Sequence, residues 1–198
     1  MKSIFKVTFI ILLVCATANS YAQNRLVSFG LKGGVNLSNL GGDVENTKVK
    51  VGYNVGALVQ AQLTLDVYLL SGVELTTKGA KDKILDNSVE AIYLQLPIHV
   101  GYRMALSDVT AVTFHAGPYM AYGIGGKTSG IDGEENKIDT FSDTMYKPFD
   151  FGLGLGVGVE FFHFGIEAGY DLGLLDISQT EGQKIRMMNV FLSLNYKF

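Results

Sequence analysis

Apolar and polar residues alternate with a period of two along eight segments of this 198-residue chain. The clearest segment runs from Phe149 to Phe161, where large apolar residues alternate with glycine or an acidic residue. Successive side chains of a β-strand point to opposite faces, so this period predicts strands with one apolar face and one small or polar face.

The predicted strands cover roughly residues 27–37, 51–63, 67–79, 89–104, 109–124, 148–161, 164–173 and 187–198. Each supplies the ~9–11 residues that a tilted strand needs to cross a bilayer. Glycine and uncharged amides dominate the polar faces, as expected for side chains that line a narrow lumen. The large apolar side chains would not fit inside an eight-stranded barrel, so the apolar faces should point outward. No later stretch resembles a transmembrane helix, and a closed barrel is the other structure that satisfies its backbone in lipid. We therefore predict an all-β fold, an eight-stranded antiparallel up-and-down transmembrane β-barrel.

The connections between these strands alternate in length. Short ones are predicted at 64–66, 105–108 and 162–163, and longer, mostly polar ones at 38–50, 80–88, 125–147 and 174–186. This pattern is typical of barrels in the cell outer membrane, whose turns face the periplasm and whose loops face outward. It predicts that both termini are periplasmic. Aromatic residues near the strand ends are candidates for the two interfacial girdles: Tyr68, Tyr102, Tyr122, Phe149, Phe161, Phe164, Tyr170, Tyr196 and Phe198.

The first 22 residues have the layout of a secretory signal peptide. Two lysines precede an apolar stretch, and Ser20-Tyr21-Ala22 supplies the small-residue cleavage pattern. We predict cleavage after Ala22, which leaves one barrel domain over 23–198. A lipoprotein site at Cys15 is the weaker alternative because Val14 is bulkier than the residue expected there. Since Cys15 is the only cysteine, the mature chain forms no disulfide. Its negative formal charge opposes a nucleic-acid partner.

Several short motifs, taken in order, give the chain a family resemblance over essentially all of 23–198. It resembles the small outer-membrane β-barrel proteins of Gram-negative bacteria, in particular the PorT-like group. That resemblance implies an eight-stranded barrel in the outer membrane, often without a known activity, and one relative takes part in protein secretion. The motifs are Gly30-Leu31-Lys32-Gly33-Gly34-Val35-Asn36, Leu94-Gln95-Leu96-Pro97, Gly101-Tyr102, Gly117-Pro118-Tyr119 and Gly169-Tyr170.

The inward face carries three basic and three acidic residues in the predicted strands. We expect them to form salt bridges through the lumen, because isolated charges in a poorly hydrated interior are costly unless paired. His99 and His115 share this face on consecutive strands and complete the predicted polar network. The charged members are Lys32, Glu74, Arg103, Glu160, Glu167 and Lys197. A barrel plugged by these side chains is the favoured interpretation, and a conducting pore is the alternative.

The sequence favours neither a cofactor, a metal nor a catalytic site. Two histidines without a nearby carboxylate or cysteine make an incomplete metal site, so His99 and His115 are better interpreted as packing residues. The glycines of 152–158 recur at a spacing of two inside a strand, unlike a nucleotide-binding loop. A deacylase of the eight-stranded kind needs a His-x-Ser pair, which does not occur here. The acids of the long third loop have no histidine near them in sequence: Asp132, Glu134, Glu135, Asp139 and Asp143.

These patterns predict a non-enzymatic integral outer-membrane protein. It would contact outer-membrane lipid, present its loops or support an envelope partner, and the family resemblance adds a secretion partner. The connection 125–147 is the best candidate for a binding surface, since long loops are commonly functional. Two alternatives stay open: a soluble secreted barrel that binds an apolar ligand, and an outer-membrane hydrolase with its active site at the rim. Oligomeric state is not predicted.

Overall fold

A computed structural model of the protein describes residues 26–42, 47–82, 88–129, 138–141, 146–178 and 185–198. The predicted signal peptide, 1–22, lies outside these residues. Across the described ranges, no helix combines the length and apolar character needed to span a membrane.

The described chain forms eight long strands and two short ones. The strands are β1 (Val27–Gly42), β2 (Thr47–Gln62), β3 (Val67–Asp82), β4 (Ser88–Ala105), β5 (Thr110–Gly125), β6 (Lys127–Ser129), β7 (Ile138–Asp139), β8 (Phe149–Phe161), β9 (Phe164–Gly173) and β10 (Ile185–Lys197). Every long strand pairs antiparallel with the next long strand, and β1 pairs with β10, which closes the sheet into a barrel. The short strands β6 and β7 continue the sheet beyond β4. The predicted fold class is therefore confirmed.

The apolar faces of the strands point away from the barrel axis. Leu153 and Leu155 are 50% and 54% exposed, whereas Asn54 and Glu74, on the inward face, are 4% and 9% exposed. On β8 the outward apolar face runs from end to end of the strand. At ~3.3 Å per residue and a tilt of ~40°, those twelve steps rise about 30 Å. This height matches the ~30 Å hydrocarbon core of a bilayer.

The strands extend further at the long-connection end, here called the loop end, than the sequence predicts. The expected connection 38–50 is wrong at both ends, because β1 continues to Gly42 and β2 begins at Thr47. Likewise, β3 continues to Asp82 and β4 begins at Ser88 instead of leaving 80–88 as a loop. Above the lipid band the outer face of a strand no longer contacts hydrocarbon and need not be apolar, so the alternation that marks a strand fades there.

The aromatic residues at the strand ends point outward, with one exception. Tyr102, Tyr122 and Phe149 are about half exposed on the outer wall. Tyr68 was expected in a girdle, but it is 2% exposed and lies inside the barrel beside Gly101. Its position has the parity of Glu74 on the same strand, and this parity decides which face a side chain takes.

Candidate functional site: the polar interior of the barrel

The structure places all eight residues of the predicted polar network on inward-facing strand positions. It brings five of them together near the middle of the barrel and three near the end that carries the short turns, here called the turn end. The middle group is Lys32, Glu74, Glu167, His99 and His115, and the turn-end group is Arg103, Glu160 and Lys197.

Lys32 on β1 holds the middle group together. Its Nζ lies 3.1 Å from Glu74 Oε1 on β3 and 3.1 Å from Glu167 Oε1 on β9. The ammonium also lies 4.3 Å from the centre of the Phe191 ring, within cation–π range. All three charged side chains are nearly inaccessible to solvent. One buried cation therefore neutralises part of the charge of two carboxylates on opposite walls of the barrel.

The two histidines join this group through Glu167. His115 Nε2 lies 3.5 Å from Glu167 Oε1, and the Nδ1 atoms of His99 and His115 are 2.9 Å apart. If the neutral His115 ring carries its proton on Nε2, this N–H can donate to the Glu167 carboxylate, and the unprotonated Nδ1 of His115 can accept a hydrogen bond. The Nδ1–H of His99 then donates to it. Sequence reasoning placed no carboxylate near these histidines. Glu167 on β9 reaches His115 on β5 across the glycines of β8, and a contact between strands that are not neighbours cannot be read from spacing.

The turn-end group centres on Glu160. Its carboxylate forms an ion pair with Lys197 on β10 and accepts a hydrogen bond from Arg103 Nε at 3.1 Å. Lys197 Nζ also donates to Gln60 Oε1 at 2.5 Å. Arg103 is only partly buried. This end of the interior is therefore wetter than the middle, and its ion pairs are better screened.

A third polar group, nearer the loop end, was missed by sequence reasoning. Lys78 is fully buried, and its Nζ donates to Gln95 Oε1 at 2.7 Å. The same Nζ lies 3.7 Å from Asp171 Oδ2. The same ammonium lies 4.5 Å from the centre of the Tyr119 ring, whose hydroxyl donates to Asp150 Oδ2 at 3.0 Å. The alternation did contain the signal for this group. Lys78 is an even number of residues from Glu74, and Asp171 an even number from Glu167, so each shares the inward face of its strand.

An apolar cluster lies above this group at the loop end. It combines strand residues with Ile177, which is fully buried and whose backbone N–H donates to Ile185 O at 3.0 Å. The Phe141 ring packs edge-on against Tyr93, 5.3 Å between centres. Burial raises the pKa of the Tyr146 phenol, which packs against the same cluster. The buried members are Leu40, Ala80, Ala91, Tyr93, Tyr119, Ala121, Ile177, Ile185 and Met187.

The glycines of β8 make room for the large inward side chains. A Cβ at Gly152 would lie 2.6 Å from the Tyr119 ring, and one at Gly154 would lie 2.8 Å from the His99 ring. A Cβ at Gly156 would overlap the ring of His115. The alternation of glycine along this strand thus fits the interior side chains of β5, which pairs directly with β8, and of β4 beyond it.

Two small cavities lie among these side chains. One of about 20 Å³ is lined by residues that include Lys32, His99 and Asp171, and one of about 10 Å³ by residues that include Gln60 and Tyr68. A water molecule needs roughly 10–15 Å³ by this measure. Each cavity is therefore about the size of a single water.

Comparison with known proteins identifies the family. The family described as outer membrane protein beta-barrel domain matches residues 21–179. The chain belongs to this family. As an outer-membrane barrel, it is located in the outer membrane, with its apolar wall in contact with lipid. The PorT-like group within such proteins stays a prediction from the motifs.

Solved structures of other outer-membrane proteins are similar to this barrel. Neisserial surface protein A is 12% identical, with 87% of this chain and 99% of that chain covered and a TM-score of 0.53. Ail, the attachment invasion locus protein of Yersinia pestis, is 16% identical over 86% and 98%, with a TM-score of 0.48. The N-terminal barrel of Pseudomonas aeruginosa OprF is 14% identical over 85% and 97%, with a TM-score of 0.38. No curated protein sequence matches the chain significantly.

Only one of the five acids of the long third loop lies among the described residues. Asp139 is exposed at the end of β7, and the other four lie outside the described residues. Within the ranges that the structure describes, no three His, Cys, Asp or Glu side chains are grouped to hold a metal ion.

Zinc titration tests how the histidine pair of the outer-membrane barrel is used. We expect wild-type protein and the His99→Ala/His115→Ala variant to bind zinc equally weakly, because Glu167 is already engaged by Lys32 and two imidazoles make an incomplete site. Isothermal titration calorimetry on detergent-folded protein measures this. Tight binding by the wild type that the variant loses would contradict the packing role.

Proposed function

We propose that this outer-membrane barrel is a non-enzymatic protein with a plugged lumen, and that it acts as a rigid frame for the connections at its loop end. The stacking of interior side chains in successive tiers supports the plug. From the turn end to the loop end, the tiers are the Glu160 ion pairs, the Lys32 ion pairs, Lys78 with its partners, and the apolar cluster.

The Lys32 ion pairs are the observation that carries the proposal. A cation bonded to carboxylates on β3 and β9 crosses the space through which ions would pass. Eight-stranded barrels have an interior just wide enough for side chains to fill. The two cavities described above are water-sized and support the same conclusion.

The proposed orientation places both termini and the short turns in the periplasm. The turns 63–66, 106–109 and 162–163 share one end of the barrel with both ends of the described chain. The opposite end carries the longest connection, between β5 and β8, which includes β6 and β7. Short periplasmic turns and longer outer loops are the usual arrangement.

We propose that this outer-facing end presents its loops or supports an envelope partner. The PorT-like motifs, rather than any contact in the barrel, favour a partner in protein secretion. Crosslinking in intact envelopes, followed by identification of the captured proteins, tests this part. Reproducible capture of an envelope protein by a crosslinker in the β5–β8 connection, and not by one in the turn 106–109, is the expected result. Equal capture from both ends would contradict it.

The two alternative functions fit the barrel less well. A soluble carrier of an apolar ligand needs an apolar interior, yet the side chains lining the middle are charged and hydrogen-bonded. A rim hydrolase of the deacylase type needs a His-x-Ser pair, which the sequence does not contain. His163 lies in the turn after β8.

Planar-bilayer recording is the direct test of the plug. We expect pure, folded protein to produce no steady conductance steps, because the Lys32, Lys78 and Glu160 groups fill the lumen. Heat-modifiable migration in gel electrophoresis confirms that the sample is folded, and a large porin recorded in the same bilayers confirms that insertion is detectable. Reproducible steps whose number rises with the amount of folded protein would contradict the proposal.

A further inference from the structure

Three exposed basic residues form a row on the outer wall at the loop end. Lys48 on β2 and Lys81 on β3 are direct register partners, and Arg186 on β10 is the partner of Gly41 on β1. The neighbour of Lys81, Ala80, belongs to the interior cluster, so Lys81 and its partner Lys48 lie on the outer face. The row thus spans four adjacent strands, β10, β1, β2 and β3.

The register of this row places like charges side by side. Directly opposed residues in an antiparallel pair are about 4.5–5.5 Å apart at Cα, and like charges in that position are destabilising. Neither Lys48 nor Lys81 has a side-chain hydrogen bond or ion pair among the described residues. An anion from outside the chain would relieve this repulsion.

A neighbouring lysine shows the contrast. The Nζ of Lys50 lies 3.0 Å from Glu90 Oε2 and donates to Ser88 Oγ at 3.1 Å. The protein therefore neutralises one lysine of this wall with its own carboxylate, and leaves the charges of Lys48 and Lys81 uncompensated among the described residues.

The row lies just above the apolar band. On β10 the outward residues Val190 and Met188 belong to the apolar band, and Arg186 is the next outward residue toward the loop end. Two residues of a tilted strand separate Arg186 from Met188, so Arg186 lies about 5 Å higher than Met188. Lys48 is three residues beyond Val51, which is 68% exposed on the outer wall. The register of β2 against β3 shifts between Val49 and Asn54, and this irregularity brings Lys48 to the same face as Val51 despite the odd separation. The headgroup region of a bilayer extends roughly 5–8 Å beyond the hydrocarbon core. These side chains therefore lie at headgroup depth.

We propose that Lys48, Lys81 and Arg186 form a binding site for the anionic, phosphate-bearing headgroup of a lipid. Its position on the outer wall next to the acyl-chain region favours a membrane lipid over a soluble phosphate, which would not need the adjoining apolar surface. The proposal rests on the lipid-facing wall and, for the choice of leaflet, on the proposed orientation.

Native mass spectrometry of lipid retention tests the site. Wild-type protein, released from nanodiscs of mixed phosphatidylglycerol and phosphatidylcholine, is expected to retain phosphatidylglycerol preferentially. A cation near an anionic surface contributes about fivefold in affinity, so Lys48→Gln/Lys81→Gln is expected to lower this preference by about 25-fold. The preference should also weaken as salt is raised.

Two matched variants separate the site from net charge and from folding. Lys127→Gln/Lys147→Gln removes the same charge from exposed positions at the same end and should retain the wild-type preference, as should Lys48→Arg/Lys81→Arg. An equal loss in the Lys127/Lys147 variant, or no loss in the Lys48/Lys81 variant, would overturn the proposal. Inorganic phosphate added in excess should not displace the lipid; displacement would identify a soluble-anion site instead. None of these outcomes depends on whether the lumen conducts.

Discussion

Replacing Lys32 with methionine is expected to destabilise the barrel by about 3–5 kcal/mol, because it leaves two buried carboxylates without their cation. Glu74 and Glu167 both lie 3.1 Å from the Lys32 ammonium, and both are nearly inaccessible to solvent. Methionine keeps the length of the side chain, so the loss reports the charge rather than a cavity. Equilibrium unfolding by guanidinium in lipid vesicles gives the free energy of unfolding.

Two further variants decide whether the buried charge is the cause. Lys50→Met breaks the more exposed ion pair with Glu90 and is expected to change the free energy of unfolding by at most about 1 kcal/mol. The triple variant Lys32→Met/Glu74→Gln/Glu167→Gln leaves no unpaired charge and should recover at least half of the loss. A Lys32→Met barrel as stable as wild type would mean that the interior is hydrated enough to solvate both carboxylates.

Replacing Gly152 with valine is expected to have the second largest effect. A Cβ at this position would overlap the backbone oxygen of Leu172 and lie 2.6 Å from the Tyr119 ring. Overpacking of this kind typically costs about 1–3 kcal/mol. The fraction of heat-modifiable, folded protein and the guanidinium midpoint should both fall.

Gly125→Val is the matched control for that substitution. Gly125 also lies in a barrel strand, and no atom lies within 4 Å of a Cβ built there. The same change of side chain is therefore expected to leave folding nearly unaltered. If both valine variants lost stability equally, the loss would come from glycine replacement in general and not from the tight packing of β8 against Tyr119.

The alternation of residues predicts which side chains face the lumen, but not which of them meet. Parity along each strand places Lys32, Glu74 and Glu167 inside, and it equally places Lys78 and Asp171, although these two were overlooked. Their contacts depend on the closure of β1 against β10 and on the register around the barrel. Short turns fix the register of the strands that they join, but the register across the long connections and at the closure is set by three-dimensional pairing and leaves no local mark in the sequence.

Strand ends beyond the lipid band were the other feature that the sequence predicted poorly. Residues such as Ser38 and Lys50 belong to β1 and β2, but they follow no apolar alternation, because no acyl chains contact either face there. The basic row of Lys48, Lys81 and Arg186 belongs to this part of the barrel. Its members are far apart in sequence and become neighbours only through the register of β10, β1, β2 and β3.

Quenching of single tryptophans by brominated lipid tests the central claim, which is the direction of the two faces. The chain contains no tryptophan, so an introduced one gives the whole signal. Leu155 on β8 and Phe191 on β10 pair with adjacent residues of β9, so they lie at nearly the same level of the barrel. Leu155 is on the outer wall and Phe191 is in the lumen. Strong quenching of Leu155→Trp and little quenching of Phe191→Trp is the predicted result. Equal quenching of the two, or stronger quenching of Phe191→Trp, would contradict the structure of the barrel described above.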